Sequence, residues 1–387
     1  MDILIRPGKL SGALSLIPSK SLCHRYLICA AFSQKPVTLL CPETNQDIEA
    51  TVDCLRTLGA RIHRTNTGYE VHPIQVVPEQ AVLNCRESGS TLRFLLPVVG
   101  ALGISAIFRM EGRLPSRPLS PLWEEMERMG CALSRPSENT IFCQGKLQTG
   151  TYTIAGNVSS QFLSGLLFAI GIMGGASSLE VTGEIVSLPY FEMTKAAIER
   201  FSRPENVPDV IPVEGDWSNG AFWVAANALG SSLQLLNLNE DSIQGDRACI
   251  RLIPQLQKHS TISAQNIPDL IPVLAVVAAA NCGAVFTQTG RLRSKESDRV
   301  AAILGMIRSL GGQADATADT LTVYGTGLTG GCVDSCRDHR IAMAAAIAST
   351  VCSEPVTILN AECVEKSYPR FWEEFRRTGG NYEQYLR

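Results

Sequence analysis

Met306–Gly327, MIRSLGGQADATADTLTVYGTG, reads as the end of a helix followed by a hairpin. Gly311 supplies the left-handed residue on which helices commonly stop, and two short alternating strands then flank a polar turn. Cys54–Pro73 (CLRTLGARIHRTNTGYEVHP) and Met126–Gly145 (MERMGCALSRPSENTIFCQG) repeat the pattern. A helix-then-hairpin module recurring among further strand–helix units predicts an α/β repeat architecture. Two copies are stunted. After a helix around Met193–Phe201 the chain runs through SRPENVPDVIP directly to Val213, and after Leu252–Gln257 it runs through KHSTISAQNIPD into the next apolar stretch. A last helix, Tyr368–Arg377, has its closing strand supplied by Ile3–Arg6. That makes six units, three per half. The expected domains are residues 17–216, and residues 1–16 together with 217–387.

Composition limits the classes of function. The chain has 387 residues, 45% hydrophobic and 18% charged, with a formal net charge of -3, which describes a folded protein with ample core. No basic excess favours nucleic acid or a membrane surface. The apolar run Ile271–Ala280 is far shorter than the roughly 20 residues a spanning helix needs, and the N-terminus has no signal-like segment, so the expectation is a cytoplasmic protein. Thirteen scattered cysteines are expected as reduced thiols, with no metal site, because Cys332 and Cys336 have no second pair nearby.

Against this near-neutral background, five distant segments set cations beside small polar or glycine residues. They are Ser19-Lys20-Ser21 with Arg25, Glu87–Thr91 with Arg93, Lys295–Arg299, Asp338-His339-Arg340 and Glu365-Lys366-Ser367. They predict a pocket for small, multiply charged anions. Further motifs lie between them in order: LPSRPLSPL (Leu114–Leu122), NVSSQFLSGLL (Asn157–Leu167), SLPYFEMT (Ser187–Thr194), VEGDWSNGAFW (Val213–Trp223), QGD (Gln244–Asp246), IPDLIP (Ile267–Pro272), RLRSKESDR (Arg291–Arg299), RDHRIAM (Arg337–Met343) and EKSYPRFW (Glu365–Trp372). With SKSLCHR (Ser19–Arg25) and ESGSTLR (Glu87–Arg93), this colinear set resembles the 3-phosphoshikimate 1-carboxyvinyltransferase family (5-enolpyruvylshikimate-3-phosphate synthases) over nearly the whole chain.

The resemblance implies two similar α/β domains, each of three βαβαββ-type units forming an inside-out barrel, here with two shortened hairpins. It implies transfer of the enolpyruvyl group of phosphoenolpyruvate to the 5-hydroxyl of shikimate 3-phosphate by addition and elimination, with no cofactor. The expected partners are these two small molecules, and the expected assembly is a monomer. By match to the family's motifs, Lys20 would contact both substrates. Ser21, Arg25, Ser159, Ser160, Gln161, Ser187, Tyr190, Asp269 and Lys295 would hold shikimate 3-phosphate. Gly89, Arg117, Gln161, Arg299, Arg340 and Lys366 would hold phosphoenolpyruvate. Asp269 would accept the hydroxyl proton, and Glu296 would handle the proton at the methylene carbon. Arginine suits such anions because its planar fork engages two oxygens at once.

Other readings of single residues are plainer. Ser159-Ser160 is a helix N-cap, which also makes a phosphate site. Glu296 and Arg299, three apart, also fit a surface helix ion pair worth about 0.2–0.5 kcal/mol. His24, Asp47 and His339 read as supporting residues, and Trp217, Trp223 and Phe162 as packing. The chain departs from the family's pattern at Glu87, where many members carry asparagine, and at Arg291. The sister transferase acting on UDP-N-acetylglucosamine would show a reactive cysteine in a mobile loop, and Arg113–Pro121 has none. A non-catalytic relative would not need Lys20, Asp269, Glu296 and Lys366 intact. Mutually repelling cations from the two halves lead to the expectation that the domains close on shikimate 3-phosphate.

Overall fold

In the computed structural model, which describes residues 1–203, 205 and 207–385, all three helix-then-hairpin stretches form. Gly59, Gly130 and Gly311 follow their helices at φ +109°, +108° and +82°, where a side chain would be strained. The chain makes two units, Pro18–Val213 and Met1–Ile17 with Glu214–Arg387. Pro204 and Asn206 of the SRPENVPDVIP stretch, and Leu386 and Arg387, lie outside the described residues.

The unit Pro18–Val213 holds three sheets among its described residues. One has the order β12-β3-β5-β4, with β3 (Val37–Leu40), β4 (Arg61–Arg64), β5 (Gly68–His72) and β12 (Val210–Pro212). Its helices are α1 (Lys20–Ala31) and α2 (Gln46–Thr57). The next has the order β6-β7-β9-β8, from β6 (Gln80–Asn84), β7 (Ser105–Arg109), β8 (Cys131–Ser137) and β9 (Thr140–Gly145), with α3 (Gly89–Leu102) and α4 (Leu122–Arg128). The third has only β10 (Thr151–Ala155) parallel to β11 (Ser178–Thr182), with α5 (Ser160–Met173) and α6 (Leu188–Phe201). This is the first stunted copy. The Val-Ile-Pro that follows it pairs instead with β3.

The other unit repeats the plan. The second stunted copy is the parallel pair β2 (Ser11–Ser15) and β13 (Ser232–Leu236), with α7 (Trp217–Ala228) and α8 (Cys249–Gln255). A four-stranded sheet runs β14-β15-β17-β16, from β14 (Ser260–Ser263), β15 (Ala284–Thr287), β16 (Gln313–Ala316) and β17 (Thr320–Tyr324), with α9 (Ile271–Ala280) and α10 (Arg299–Ser309). The last sheet runs β18-β19-β1-β20, with β1 (Asp2–Arg6), β18 (Gly331–Asp334), β19 (Val356–Leu359) and β20 (Asn381–Tyr385), and helices α11 (His339–Ala348) and α12 (Phe371–Arg377). Ile3–Arg6 does join this sheet, antiparallel to β19, but as an interior strand rather than the closing one. A further strand, β20, was not expected from the sequence, and the expected helix from Tyr368 begins at Phe371.

Each unit has its own apolar core. In the second, α7, α9 and α11 pack on one another, and Ile271–Ala279 of α9 is buried throughout, which is why that helix lacks a polar face. In the first, α3 packs on α5 so closely that a Cβ at Gly165 would lie 2.1 Å from the Arg93 carbonyl oxygen. No helix among the described residues is long and apolar enough to cross a membrane.

Candidate active site

Most of the site residues expected from the sequence lie at or within about a turn of helix N-termini, where backbone N–H groups and the helix dipole favour anions, while Arg117 and Lys366 stand at the ends of 3-10 turns. Ser19 caps α1, Ser88 caps α3 and Ser159 caps α5, each side chain accepting from a first-turn N–H. In the other unit Asp216, Asp298 and Asp338 cap α7, α10 and α11 in the same way.

Within Pro18–Val213, Lys20 Nζ lies 3.0 Å from Asp47 Oδ2. One turn along α1, the Arg25 guanidinium is buried. It donates from Nε to Thr194 Oγ1 at 2.8 Å, from Nη1 to the Ser21 carbonyl at 2.7 Å and from Nη2 to the Tyr190 carbonyl at 2.8 Å. Burial lowers its pKa to about 10, so it stays charged. Ser187 is buried at φ +53° just before α6, which places it beside the Tyr190 turn that Arg25 grips. On α3, Arg93 donates to Gln161 Oε1 at 2.7 Å, and Gln161 Nε2 donates to Ser90 Oγ at 3.0 Å, so the starts of α3 and α5 are laced together. Ser160 is the buried first residue of α5. Gly89 lies directly beside two guanidiniums: a Cβ there would be 2.9 Å from Arg117 Nη1 and 3.0 Å from Arg93 Nη1.

The unit Met1–Ile17 with Glu214–Arg387 builds a denser network around Arg299, which is 0% exposed. Arg299 donates from Nη1 to Asp269 Oδ1 at 2.8 Å, from Nη2 to Glu296 Oε2 at 2.8 Å and from Nε to Asp338 Oδ2 at 2.9 Å. Arg340 Nη2 reaches Asp269 Oδ2 at 3.0 Å. Burial alone would raise the Asp269 pKa, but Arg340, Lys295 and Arg299 outweigh it and hold the carboxyl well below its ordinary range. Arg299 is driven the other way, since Asp338, Glu296 and Asp269 overcome its desolvation and keep it firmly protonated. Burial lowers Lys295 to about 8, against the pull of Asp269. Lys366 is nearly buried at the end of a 3-10 turn, Ala361–Lys366, that packs on α11.

Asp269, Lys295, Glu296, Arg299 and Arg340 therefore form one charged cluster. The surface helix pair considered for Glu296 and Arg299 is corrected: the pair exists, but Arg299 is buried and Glu296 precedes the Asp298 cap, so it belongs to the cluster rather than to a helix face. Trp217, Trp223 and Phe162 are buried packing residues, Phe162 lying under the Arg93 guanidinium at 5.5 Å. Arg291 donates to the Gln265 carbonyl at 3.3 Å. The sequence assigns no role to Asp338 or Asp246 and reads Asp47 only as a supporting residue. An aspartate just before an apolar run signals a cap, which finds Asp338. Nothing local signals that Asp47 meets Lys20 across 27 residues.

The EPSP synthase (3-phosphoshikimate 1-carboxyvinyltransferase) family model matches residues 5–375. A 3-phosphoshikimate 1-carboxyvinyltransferase of Clostridium kluyveri is 36% identical, covering 99% of this chain and 98% of the relative. One of Clostridium beijerinckii is 34% identical, covering 99% of each. The alignment to the first spans 419 positions against 387 residues here, so part of the relative has no counterpart in this chain. Among solved structures, an EPSP synthase from Acinetobacter baumannii superposes with a TM-score of 0.80 at 21% identity, covering 99% of this chain and 100% of that one. The fold is therefore shared, with two sheets reduced to two strands.

Proposed function

This chain belongs to the EPSP synthase (3-phosphoshikimate 1-carboxyvinyltransferase) family, and from that premise we propose that it transfers the enolpyruvyl group of phosphoenolpyruvate to the 5-hydroxyl of shikimate 3-phosphate, releasing phosphate. The observation that carries this reading is the cluster in which Asp269 and Glu296 share the buried Arg299. An addition followed by an elimination needs groups that take one proton from the hydroxyl and that add and then remove another at the methylene carbon, and two carboxylates held side by side by one cation can fill those roles.

In this reading Lys20, Ser21, Arg25, Ser159, Ser160, Gln161, Ser187, Tyr190, Asp269 and Lys295 bind shikimate 3-phosphate. Lys20, Gly89, Arg117, Gln161, Arg299, Arg340 and Lys366 bind phosphoenolpyruvate. Asp269 is ionised but a weak base while Arg340, Lys295 and Arg299 act on it. Substrate anions that engage those cations draw off part of that field, so the base strengthens as the site fills. Lys295, lowered to about 8 beside Glu296, keeps an exchangeable proton close to the second carboxylate near neutral pH. Oriented cations and N–H groups stabilise the charge that develops on the substrates.

We also read the chain as a cytoplasmic monomer acting on free metabolites without a cofactor. Its cysteines, all free thiols, suit a reducing compartment, and light scattering giving the mass of one chain checks the monomer. The reaction is tested by phosphate release with both substrates present. Turnover that needs both is expected, and binding of shikimate 3-phosphate with no phosphate release would defeat the proposal. Asp269→Asn should lower kcat by about 10²–10⁴-fold, the range for loss of a general base, with an unchanged far-UV spectrum.

A further inference from the structure

Asp246, the acid of Gln244-Gly245-Asp246, takes no part in the chemistry above, yet it is 1% exposed. The local structure sets it there. Gln244 accepts from the Trp217 N–H at 3.1 Å and donates to the Gly215 carbonyl at 2.9 Å, which pins the short turn Gly245–Ala248 against the start of α7. From that start, the Ser218 hydroxyl donates to Asp246 Oδ2. The carbonyl of the same serine accepts from Arg340 Nη1 at 3.1 Å, while Arg340 Nη2 lies 3.0 Å from Asp269 Oδ2. Arg340 thus touches Asp269 directly and reaches Asp246 through Ser218, the residue whose hydroxyl donates to Asp246.

Resting on the reaction proposed above, we infer that Asp246 is a positioning residue that offsets the pull of the Arg340 guanidinium on Asp269, and so keeps Asp269 basic enough to take the hydroxyl proton. The reason is electrostatic. A like charge nearby raises a carboxylate's proton affinity, so ionised Asp246 offsets part of the depression that Arg340 imposes on Asp269. Neutralising Asp246 removes that offset, which weakens the base. It also leaves the guanidinium with more attraction for a substrate anion. The expected signature is a lower kcat without a higher KM for phosphoenolpyruvate.

The effect is pH-dependent. Burial, with Asp269 and Asp216 assisting, pushes Asp246 up to about 6, against the opposing pull of Arg340 and the Ser218 hydrogen bond. These groups face it from α7 (Asp216, Ser218), the start of α9 (Asp269) and α11 (Arg340). From α8, the Cys249 thiol, itself pushed up to about 12, stays neutral. Asp246 is therefore ionised above about 6 and protonated below it, so the support it gives Asp269 fades as pH falls through that value.

Steady-state kinetics from pH 5 to 9 test the inference. Asp246→Asn should lower kcat at neutral pH about tenfold, the effect of roughly one unit in the base's proton affinity. It should leave the KM for phosphoenolpyruvate unchanged or lower, and should lose the acid limb near 6. Ser218→Ala removes a bond that favours the ionised acid, so its acid limb should move to higher pH. That second variant keeps the inference testable if the first does not fold. Asp246→Asn with a raised KM and intact kcat, or with the wild-type acid limb retained, would overturn it, as would Ser218→Ala with an unmoved limb. An inactive wild-type enzyme would instead defeat the reaction, so the two failures are separable.

Discussion

Asp338 shows how one buried carboxylate organises a site from several sequence positions. It accepts from Ser297 Oγ at 3.0 Å, from Arg299 Nε at 2.9 Å and from the Arg340 N–H at 3.0 Å, and it is 0% exposed. Removing it leaves a buried guanidinium short of a partner, which typically costs about 3–5 kcal/mol. Asp338→Ala is therefore expected to lose about that much in urea denaturation, and Asp338→Asn less, because the amide oxygen still caps α11. At this scale the sequence was partly legible. Capping serines and aspartates announce themselves by standing before apolar helical runs. Pairings such as Lys20 with Asp47, or Arg25 with Thr194, join residues 27 and 169 positions apart, and no local pattern encodes them.

A buried chain of hydrogen bonds ties three helices of the first unit together. His24 Nδ1 on α1 meets Thr51 Oγ1 on α2 at 2.7 Å, Thr51 meets Thr91 Oγ1 on α3 at 2.7 Å, and Thr91 donates to Ser88 Oγ at 2.7 Å. The chain ends at the cap of the helix that begins with Gly89. Desolvation, with Lys20 and Arg25 adding to it against Asp47, lowers His24 to about 3. In the unfolded chain the ring takes up a proton near the usual value, while the folded protein resists until about 3. Unfolding therefore binds a proton, and stability falls as pH falls through that window. The urea midpoint should drop between pH 7 and pH 4, and His24→Gln should flatten that slope whatever it does to the midpoint at pH 7. An equal slope in both proteins would show that other groups cause it. Elements with their own pattern were readable, because glycine stops and period-two strands are local signals. Two strands were not. Val210–Pro212 is three residues long and finds its partner, β3, some 170 positions back. Asn381–Tyr385 is a largely exposed edge strand with little apolar alternation to reveal it.

At the scale of the molecule, the described residues run one repeat plan six times and abbreviate it twice, and the abbreviated copies are legible in the sequence as shortened hairpins. Their cost should appear as local mobility. Both strands of a two-stranded parallel sheet are edges, and such pairs are marginal without further strands. Amide hydrogen exchange should be much faster in β10–β11 and β2–β13 than in the central strands β5, β9 and β17, while the helix starts that carry the site stay protected. Equal protection in all six sheets would refute this. The placement of β1 has a different consequence. It lies between β19 and β20, and Asp2 stands opposite Tyr385. Chain order sets that strand before residues 18–213 and both of its neighbours after them, so the unit 18–213 can reach its native form while β1 still waits, unpaired, for β19 and β20 to be made.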